Sequence, residues 1–285
     1  MLLLLNRIIL VVFISLISFS TSSEEVKSEF IKTKWSFEGI FGTFDRASLQ
    51  RGYQVYQEVC SGCHSVQHLS YRNLSEKGGP EFSVEEAKAI AAQFEVEDGP
   101  NSDGEMFMRP GRLSDTFVKP YPNVEASTAA NGGAYPPDMS VLTKARKGGA
   151  DYIYSLLLGY EEAPTGFELD EGVYYNKYMP GNKIKMIAPL SDGLVEYSDG
   201  TPSTTAQMAK DVTAFLVWVA EPHLESQHRM GFKSIIYLII LFILVYMSKQ
   251  KVWSRFGSKK EPEEETFDKV ERAVTEYEGE DPKTF

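Results

Sequence analysis

Hydrophobic positions follow two patterns along this chain: continuous apolar runs near both ends, and helical spacing in two stretches between them. The first run, from Ile8 to Phe19, follows a single basic residue and gives way to small polar residues. That layout is typical of a secretory signal peptide, which we place at residues 1–22. An uncleaved N-terminal anchor would show the same pattern and is the alternative.

The second apolar run is uninterrupted from Ile235 to Met247. Counted from Met230, it reaches the about 20 residues that a bilayer needs. A buried core helix is the alternative, but the run is apolar on all faces. Basic residues follow it at once, as the positive-inside rule requires of a cytoplasmic flank: Lys249, Lys251, Arg255, Lys259 and Lys260. We therefore expect an exported domain over 23–228, a transmembrane anchor over 229–248 and a cytoplasmic tail over 249–285.

Helical spacing first appears between Asp45 and the cysteines. Leu49, Tyr53, Tyr56 and Cys60 recur at intervals of 4, 3 and 4, which places them on one helix face. Asp45 stands where an N-cap residue is expected. Gly52 lies inside this helix at a propensity cost of about 1 kcal/mol, which indicates close packing against another element.

The second helical stretch lies shortly before the anchor. Its apolar stripe consists of Met208, Val212, Phe215 and Val219. Thr201 is the expected N-cap, with Pro202 at the first helical position, and the helix should end before Pro222. We expect this helix to cross the first one and close the domain.

Between the two helices, segments rich in Gly, Pro and Asn predict long ordered loops broken by short helices, so the fold class is mainly α. The formal net charge of −11 argues against nucleic acid as a partner, because phosphate binding needs a basic face. The same charge favours a basic protein partner.

The only two cysteines of the chain stand in the sequence Cys60-Ser61-Gly62-Cys63-His64. A disulfide across this spacing would close a tight loop and stabilise little, and a zinc site would need four ligands. Two thiols and an adjacent imidazole instead match covalent haem attachment, in which the thiols add to the haem vinyl groups and the histidine binds iron. We predict one covalently bound haem c.

The iron of such a haem needs a sixth ligand. His68 is too near the first ligand in sequence, and His223 and His228 adjoin the anchor. Methionine is the expected ligand, and it raises the reduction potential of a His-ligated haem. Met179 and Met186 are the two candidates, and the residues alone do not separate them.

Several longer motifs resemble those of the cytochrome c1 family, the haem subunits of the cytochrome bc1 complex. They are WSFEGIF, RGYQVYQEVCSGCHSV, GEMFMRPG, KPYPN, ANGGAYPPDMS, DYIYSLLLGY and EYSDGTP. The likeness runs from about Trp35 to Trp253. It implies a class I cytochrome c-like haem domain with long loop insertions, plus a single C-terminal transmembrane helix.

The resemblance also implies site residues. Cys60 and Cys63 are similar to the thioether cysteines of the family, His64 to its proximal ligand, and Met186 to its distal methionine, so the resemblance favours Met186 over Met179. Four further positions match residues around the haem in the family: Arg146, which matches an arginine near a haem propionate, and Asn131, Pro136 and Pro137, for which turn chemistry is the alternative.

The resemblance implies an electron-transfer subunit of ubiquinol–cytochrome c reductase. The short N-terminal segment, with a single Arg, predicts a bacterial inner membrane rather than a mitochondrion. Its expected partners are cytochrome b, the Rieske iron–sulfur protein and cytochrome c. A run of acidic residues after the haem motif could steer a basic partner: Glu85, Glu86, Glu95, Glu97, Asp98, Asp103 and Glu105. An independent membrane-anchored monohaem carrier that feeds a terminal oxidase is the alternative function, and a haem sensor or peroxidase with an open iron position is a third.

The acidic tail over residues 261–285 extends beyond the point where many family members stop. Phe267, Val270, Val274 and Tyr277 share one helical face, which would suit a partner-docking helix. A solvated, disordered tail is the favoured interpretation.

Overall fold

The structure, a computed structural model, describes residues 29–255 and 269–272. The chain divides into two compact units, Met1–Glu225 and Ser226–Phe285. The signal peptide expected at 1–22 and most of the tail, including Phe267, Val274 and Tyr277, lie outside the described residues.

Helices dominate the described residues, which confirms the mainly α class. They are α1 (Arg46–Val55), α2 (Val84–Ala91), α3 (Val124–Ala130), α4 (Leu142–Ala145), α5 (Gly149–Leu158), α6 (Thr205–Ala220) and α7 (Leu224–Trp253). A π-helical turn, Tyr56–Cys60, continues α1, and two 3₁₀ turns lie at Tyr71–Ser75 and Pro180–Asn182.

Four short strands form two antiparallel pairs within the segments that the sequence predicted as loops and short helices. Strand β1 (Glu95–Asp98) pairs with β2 (Phe107–Pro110) so that Glu95 faces Pro110. Strand β3 (Tyr174–Tyr175) pairs with β4 (Lys183–Ile184). Neither pair was predicted, because each strand is too short to show an alternating pattern.

Helix α1 forms as its sequence predicts. The Asp45 carboxylate accepts hydrogen bonds from the backbone N–H groups of Ala47 and Ser48, so Asp45 is the N-cap. Leu49, Tyr53 and Tyr56 are all buried, which confirms the predicted apolar face. The helix axis runs from this cap into the turn that carries the first cysteine.

Helix α6 begins later than predicted, and the assignment of Thr201 as its N-cap is wrong. Thr204 is the cap, and its hydroxyl accepts a hydrogen bond from the Gln207 N–H. The Asp199 carboxylate accepts a hydrogen bond from the Thr201 N–H, and the Asp192 carboxylate accepts one from the Thr205 N–H. These two bonds hold residues 201–204 outside the helix. The helix ends at Ala220, ahead of the proline, as predicted.

Helices α1 and α6 cross at Gly52. A Cβ on Gly52 would lie 2.1 Å from the backbone oxygen of Asp211 and 2.7 Å from the Cβ of Phe215. Real Cβ atoms do not approach other heavy atoms this closely, so only glycine fits here. The close packing predicted for Gly52 is confirmed, and this crossing is the centre of the apolar core.

A buried ion pair lies at the same crossing. The Asp211 side chain is fully buried and accepts hydrogen bonds from Arg51 Nε at 2.9 Å, Ser48 Oγ at 2.7 Å and Gln207 Nε2 at 2.9 Å. Arg51 also reaches the more exposed Asp199 at 2.7 Å. Asp211 therefore ties both helices together with its charge compensated, which a buried carboxylate requires.

In the second unit, the 30-residue helix α7 is long and apolar enough to cross a membrane. It is the one such helix among residues 29–255 and 269–272. Its limits, Leu224 and Trp253, extend past both ends of the span predicted at 229–248.

Candidate functional site

The cysteine motif lies on the turn that ends the first helix. The Ser61 N–H bonds to the Tyr56 carbonyl at 2.8 Å, which closes the π-helical turn. The His64 N–H then bonds to the Cys60 carbonyl at 2.9 Å. Both cysteines are free, Cys60 half-buried and Cys63 exposed. π-Helical turns often mark functional positions. This one ends at Cys60, and the turn that follows it carries Cys63 and His64.

The imidazole of His64 has a defined orientation. Its Nδ1 lies 2.8 Å from the carbonyl oxygen of Pro137. A carbonyl only accepts, so Nδ1 carries the proton and Nε2 keeps its lone pair. Burial lowers the pKa of His64 below its ordinary value, which favours the neutral ring. A neutral imidazole held through its other nitrogen is the usual state of a metal ligand.

Residues 137–140 form a strap along residues 64–68, and Asp138 is its main link. The Asp138 carboxylate accepts hydrogen bonds from Ser65 Oγ at 2.7 Å, the Gln67 N–H at 3.1 Å and the Ser140 N–H at 2.9 Å. The Met139 N–H adds a backbone bond to the Ser65 carbonyl at 2.8 Å. The strap thereby fixes the Pro137 carbonyl that orients His64.

Sequence reasoning missed Asp138. Burial alone would raise the pKa of this carboxyl, but the hydrogen bonds from Ser140, Ser65 and Gln67 outweigh burial and lower it. The only local signal is the Asp-x-Ser spacing to Ser140, which is typical of an Asx turn. The bonds to Ser65 and Gln67 cross more than seventy positions of sequence and leave no pattern.

The two methionine candidates have different surroundings. The sulfur of Met179 accepts a hydrogen bond from the Tyr152 hydroxyl at 3.7 Å, and Tyr152 is buried. Met186 is half-buried on the segment after β4, where the Tyr160 hydroxyl donates to its backbone oxygen at 3.1 Å. The structure therefore engages the Met179 sulfur inside the protein, whereas it holds Met186 through the backbone.

A further contact connects the Met186 segment with the strap side of the site. Lys185, adjacent to Met186, donates from Nζ to the Gly132 carbonyl at 3.4 Å. Gly132 belongs to the same loop as Pro137, whose carbonyl orients His64. One loop, residues 131–137, thus contacts both His64 and the neighbour of Met186.

The remaining predicted residues have more modest roles. Asn131 ends α3, and its side-chain amide donates to the Ser127 carbonyl at 2.7 Å, which is turn chemistry. Pro136 is half-buried and directly precedes Pro137, whose carbonyl oxygen accepts the hydrogen bond from His64. Arg146 is exposed after α4, and its charge opposes the rise that burial causes in the pKa of Tyr152.

The donor set fits a covalently attached haem better than a thiol redox site. Burial raises the pKa of the Cys60 thiol to about 12, so it is not the reactive thiolate that a disulfide exchange enzyme requires. Within the described ranges, no three His, Cys, Asp or Glu side chains form a cluster that could hold another metal ion. Two free thiols, an oriented imidazole and a thioether are the groups that a c-type haem uses.

The acidic residues lie on α2 and on the β1–β2 hairpin. Six of the seven are exposed: Glu85, Glu86, Glu95, Glu97, Asp103 and Glu105. Asp98 instead pairs with Arg109, which lowers the pKa of Asp98. Three large apolar side chains, Met106, Phe107 and Met108, are exposed beside them. The hairpin is therefore an acidic surface with an apolar centre.

Comparison with known proteins identifies the family of the chain. The chain is 50% identical over 226 residues to a potato cytochrome c1 heme protein of mitochondria, covering 79% of this chain and 86% of the relative. It is 49% identical to the corresponding protein of Saccharomyces cerevisiae over 227 residues, 79% of this chain and 72% of the relative.

A bacterial relative, cytochrome b/c1 of Bradyrhizobium diazoefficiens, is 50% identical over 240 residues, 78% of this chain. The match spans 35% of that longer protein. The model of the Cytochrome C1 family matches residues 35–256, which include α1 through α7 and every proposed ligand. The chain belongs to the cytochrome c1 family.

Proposed function

We propose that this chain is the haem electron-transfer subunit of a bacterial cytochrome bc1 complex. It passes one electron at a time from the Rieske iron–sulfur protein to cytochrome c, beside cytochrome b. The oriented imidazole of His64, on the same turn as two free thiols, is the observation that carries this proposal. The independent carrier stays the rival function, and family membership does not favour it.

The residues that would hold the haem are Cys60 and Cys63 through their thiols, His64 through Nε2, and Met186 through its sulfur. The haem, when bound, supplies a one-electron redox centre. The chain holds the two residues that would bind the iron: the Pro137 carbonyl orients His64, and the Tyr160 hydroxyl anchors the Met186 backbone. No acid, base or nucleophile is required of the chain, since its work is to position and tune the iron.

The roles of four further residues are inferred from the family resemblance. Arg146 provides a guanidinium for a haem propionate, and Asn131, Pro136 and Pro137 shape the loop beside the ring. The acidic surface on α2 and the hairpin attracts a basic cytochrome c.

The membrane topology follows the sequence. The signal peptide at 1–22 directs export, residues 23–228 form the periplasmic haem domain, and residues 229–248 span the inner membrane. The tail over 249–285 lies in the cytoplasm, because Lys249, Lys251 and Arg255 follow the span directly. Protease added to intact spheroplasts should digest the haem domain and leave the tail intact.

Purification of the full chain in mild detergent tests the complex. We expect cytochrome b and the Rieske protein to co-purify, and a haem stain to persist on the denatured chain. Replacing both Cys60 and Cys63 with serine should abolish the stain, whereas Ser61→Ala, on the same turn, should keep it. A stained chain that purifies alone would favour the independent carrier instead.

The distal ligand is tested with a pair of variants. Met186→Leu should let carbon monoxide bind the ferrous protein and should lower the reduction potential, because the thioether raises it. Met179→Leu is the matched control and should do neither, since that sulfur is bonded to Tyr152. The opposite result would move the ligand to Met179.

The salt dependence of electron transfer tests whether the acidic surface steers cytochrome c. Reduction of a basic cytochrome c by the complex should slow as salt rises, and Glu95→Gln with Glu97→Gln should weaken that dependence. Glu161→Gln with Glu162→Gln, also exposed but outside the hairpin, is the matched control. Equal salt dependence in both double variants would remove the hairpin from the docking surface.

A further inference from the structure

Asn176 is a fully buried polar residue to which the site described above gives no role. Its exposed fraction is 0%, and it directly follows β3 on the segment that leads to both candidate methionines. We call residues 176–186 the methionine arm. Burying an amide is unfavourable unless its polar atoms are bonded, so the bonds of Asn176 show what it holds together.

The side chain of Asn176 joins the methionine arm to helix α5. Its Nδ2 donates to the Leu156 carbonyl, in the last turn of α5, at 2.8 Å. Its Oδ1 accepts the backbone N–H groups of Tyr178 at 3.0 Å and Met179 at 3.2 Å. The bonds to Tyr178 and Met179 are local, as in an Asx turn, but the bond to Leu156 spans 20 positions of sequence. One side chain therefore both shapes the start of the arm and fastens it to the helix.

Backbone contacts extend the same junction. The Lys177 N–H bonds to the Gly159 carbonyl at 2.9 Å, and Tyr160 forms an antiparallel bridge with Asn176. A Cβ on Gly159 would lie 2.6 Å from Cδ2 of Tyr178 and 2.8 Å from Oδ1 of Asn176. Only glycine fits at such distances, so the arm packs directly on the residues that follow α5.

The far end of the methionine arm returns to the same junction. Asn176 and Asn182 exchange two hydrogen bonds: the Asn176 N–H donates to the Asn182 carbonyl at 3.1 Å, and the Asn182 amide donates to the Asn176 carbonyl at 3.2 Å. Two residues after β4, the Met186 backbone oxygen accepts the Tyr160 hydroxyl at 3.1 Å. Tyr160 is also the bridge partner of Asn176, so the same residue contacts both ends of the arm.

We propose that Asn176 is a positioning residue for Met186, the proposed sixth ligand of the iron. It acts through the methionine arm and Tyr160, which holds Met186 by its backbone oxygen, whereas Tyr152 engages Met179 through its sulfur. Residues that hold a metal ligand in place commonly tune the metal as strongly as some ligands do. The inference rests on the proposed function, in which the chain carries a haem that Met186 ligates.

A double-mutant cycle on the haem-loaded complex in detergent tests the inference. Asn176→Ala removes the acceptor of two N–H groups and the donor to the Leu156 carbonyl, so the methionine arm should loosen. We expect a lower reduction potential and binding of carbon monoxide to the ferrous protein, because both follow from weaker thioether ligation. In the Met186→Leu background, where the thioether is already absent, Asn176→Ala should shift the potential no further.

Ser155→Ala is the matched control. Ser155 is also fully buried, on α5, and its hydroxyl accepts the Ile31 N–H at 2.8 Å and donates to the Asp151 carbonyl at 2.6 Å. The variant should destabilise the domain as well, but it should leave the potential unchanged and carbon monoxide unbound.

Three results would overturn the inference: an unchanged potential in Asn176→Ala, equal shifts in the natural and the Met186→Leu backgrounds, or the same shift in Ser155→Ala. If Asn176→Ala does not accumulate, Asn176→Ser, whose hydroxyl can still accept an N–H, takes its place with a smaller expected shift. Failure of the proposed function is distinguishable, because the natural chain would then show no haem stain after denaturation, or Met186→Leu itself would leave the potential unchanged.

Discussion

The crossing of α1 and α6 and the loop site around His64 are held by different forces. At the crossing, helix backbones touch at Gly52, and apolar side chains such as Leu49 and Phe215 are fully buried. At the loop site, short segments are joined by individual hydrogen bonds, among them those of Asp138. The crossing depends on packing volume, whereas the loop site depends on a few polar contacts, so the two should respond to substitution on different scales.

The difference matters for function because the two regions share one segment. The π-helical turn that carries Cys60 continues α1 directly. The crossing therefore positions the cysteines, and the strap then orients the histidine. Substitutions in the crossing should affect the whole domain, while those in the strap should act first on the orientation of His64.

Gly52→Ala should have the largest effect on stability. The new Cβ would lie 2.1 Å from the Asp211 backbone oxygen, so the helices must separate. We expect a loss of about 3 kcal/mol or more in the free energy of unfolding. Urea unfolding of the full chain in detergent, followed by circular dichroism, measures it. Gly231→Ala, whose Cβ would meet nothing within 4 Å, is the control, and an equal loss there would contradict the packing argument.

Asp211→Ala should have the second largest effect on stability. It leaves Arg51 without its buried partner, but Arg51 keeps Asp199, so we expect about 2–3 kcal/mol, below the cost of breaking a fully isolated pair. The same urea experiment measures the loss.

Asp199→Ala is the matched control for the same arginine. Its side chain is 41% exposed, and removal of an exposed partner should cost under about 1 kcal/mol. Equal losses for the two aspartates would show that burial of Asp211 contributes nothing to the pair.

The crossing could be predicted from sequence because its determinants are local. The spacing of Leu49, Tyr53 and Tyr56 gives the buried face, and Asp45 marks the start. A glycine inside a helix indicates contact, and Gly52 makes one. The start of α6 could not be predicted from Thr201 and Pro202, because Asp192 and Asp199 compete for the backbone there.

The haem chemistry of the loop site stays a prediction from the sequence, and the architecture of the site was not predicted. The Cys-x-x-Cys-His spacing is set by the porphyrin, so it can be recognised without a fold. The bond from His64 to Pro137 joins positions 73 apart, and hydrogen bonds over such separations have no periodicity to reveal them. The sequence alone did not separate Met179 from Met186 as the expected sixth ligand. The tyrosines that contact them, Tyr152 and Tyr160, are distant from both in sequence and leave no local pattern.

Asp138→Ala should cost about 1–2 kcal/mol, because it leaves the N–H groups of Gln67 and Ser140 without their acceptor. Unlike the crossing variants, it should also change the haem: loss of the strap loosens His64, and the reduction potential should shift. Potentiometric titration in the holo-complex measures this second effect.

Asp192→Ala is the control for this variant. It also removes a carboxylate that accepts two hydrogen bonds, from the N–H and the hydroxyl of Thr205, but it lies outside the strap. We expect a similar loss of stability and an unchanged potential. A strap that has no part in positioning His64 would leave the potential unchanged in both variants.

The smallest expected effect is the pH dependence of the strap. The pKa of Asp138 is lowered from 3.8 in the folded chain by its hydrogen bonds, so the folded state prefers the carboxylate. The stability that this provides is complete above the unfolded pKa of 3.8 and is lost as the pH falls through the lower folded value.

Asp138→Asn keeps one acceptor oxygen but no charge. The stability difference between the natural chain and this variant should therefore be constant at pH 5–7 and shrink at acid pH. Urea midpoints at a series of pH values measure that difference, with Asp192→Asn as the reference for a carboxylate at a helix start, whose pKa is also lowered. A difference that stays constant down to pH 2 would mean that the strap uses Asp138 for its shape and not for its charge, which would bring the loop site closer to the packing-dependent crossing.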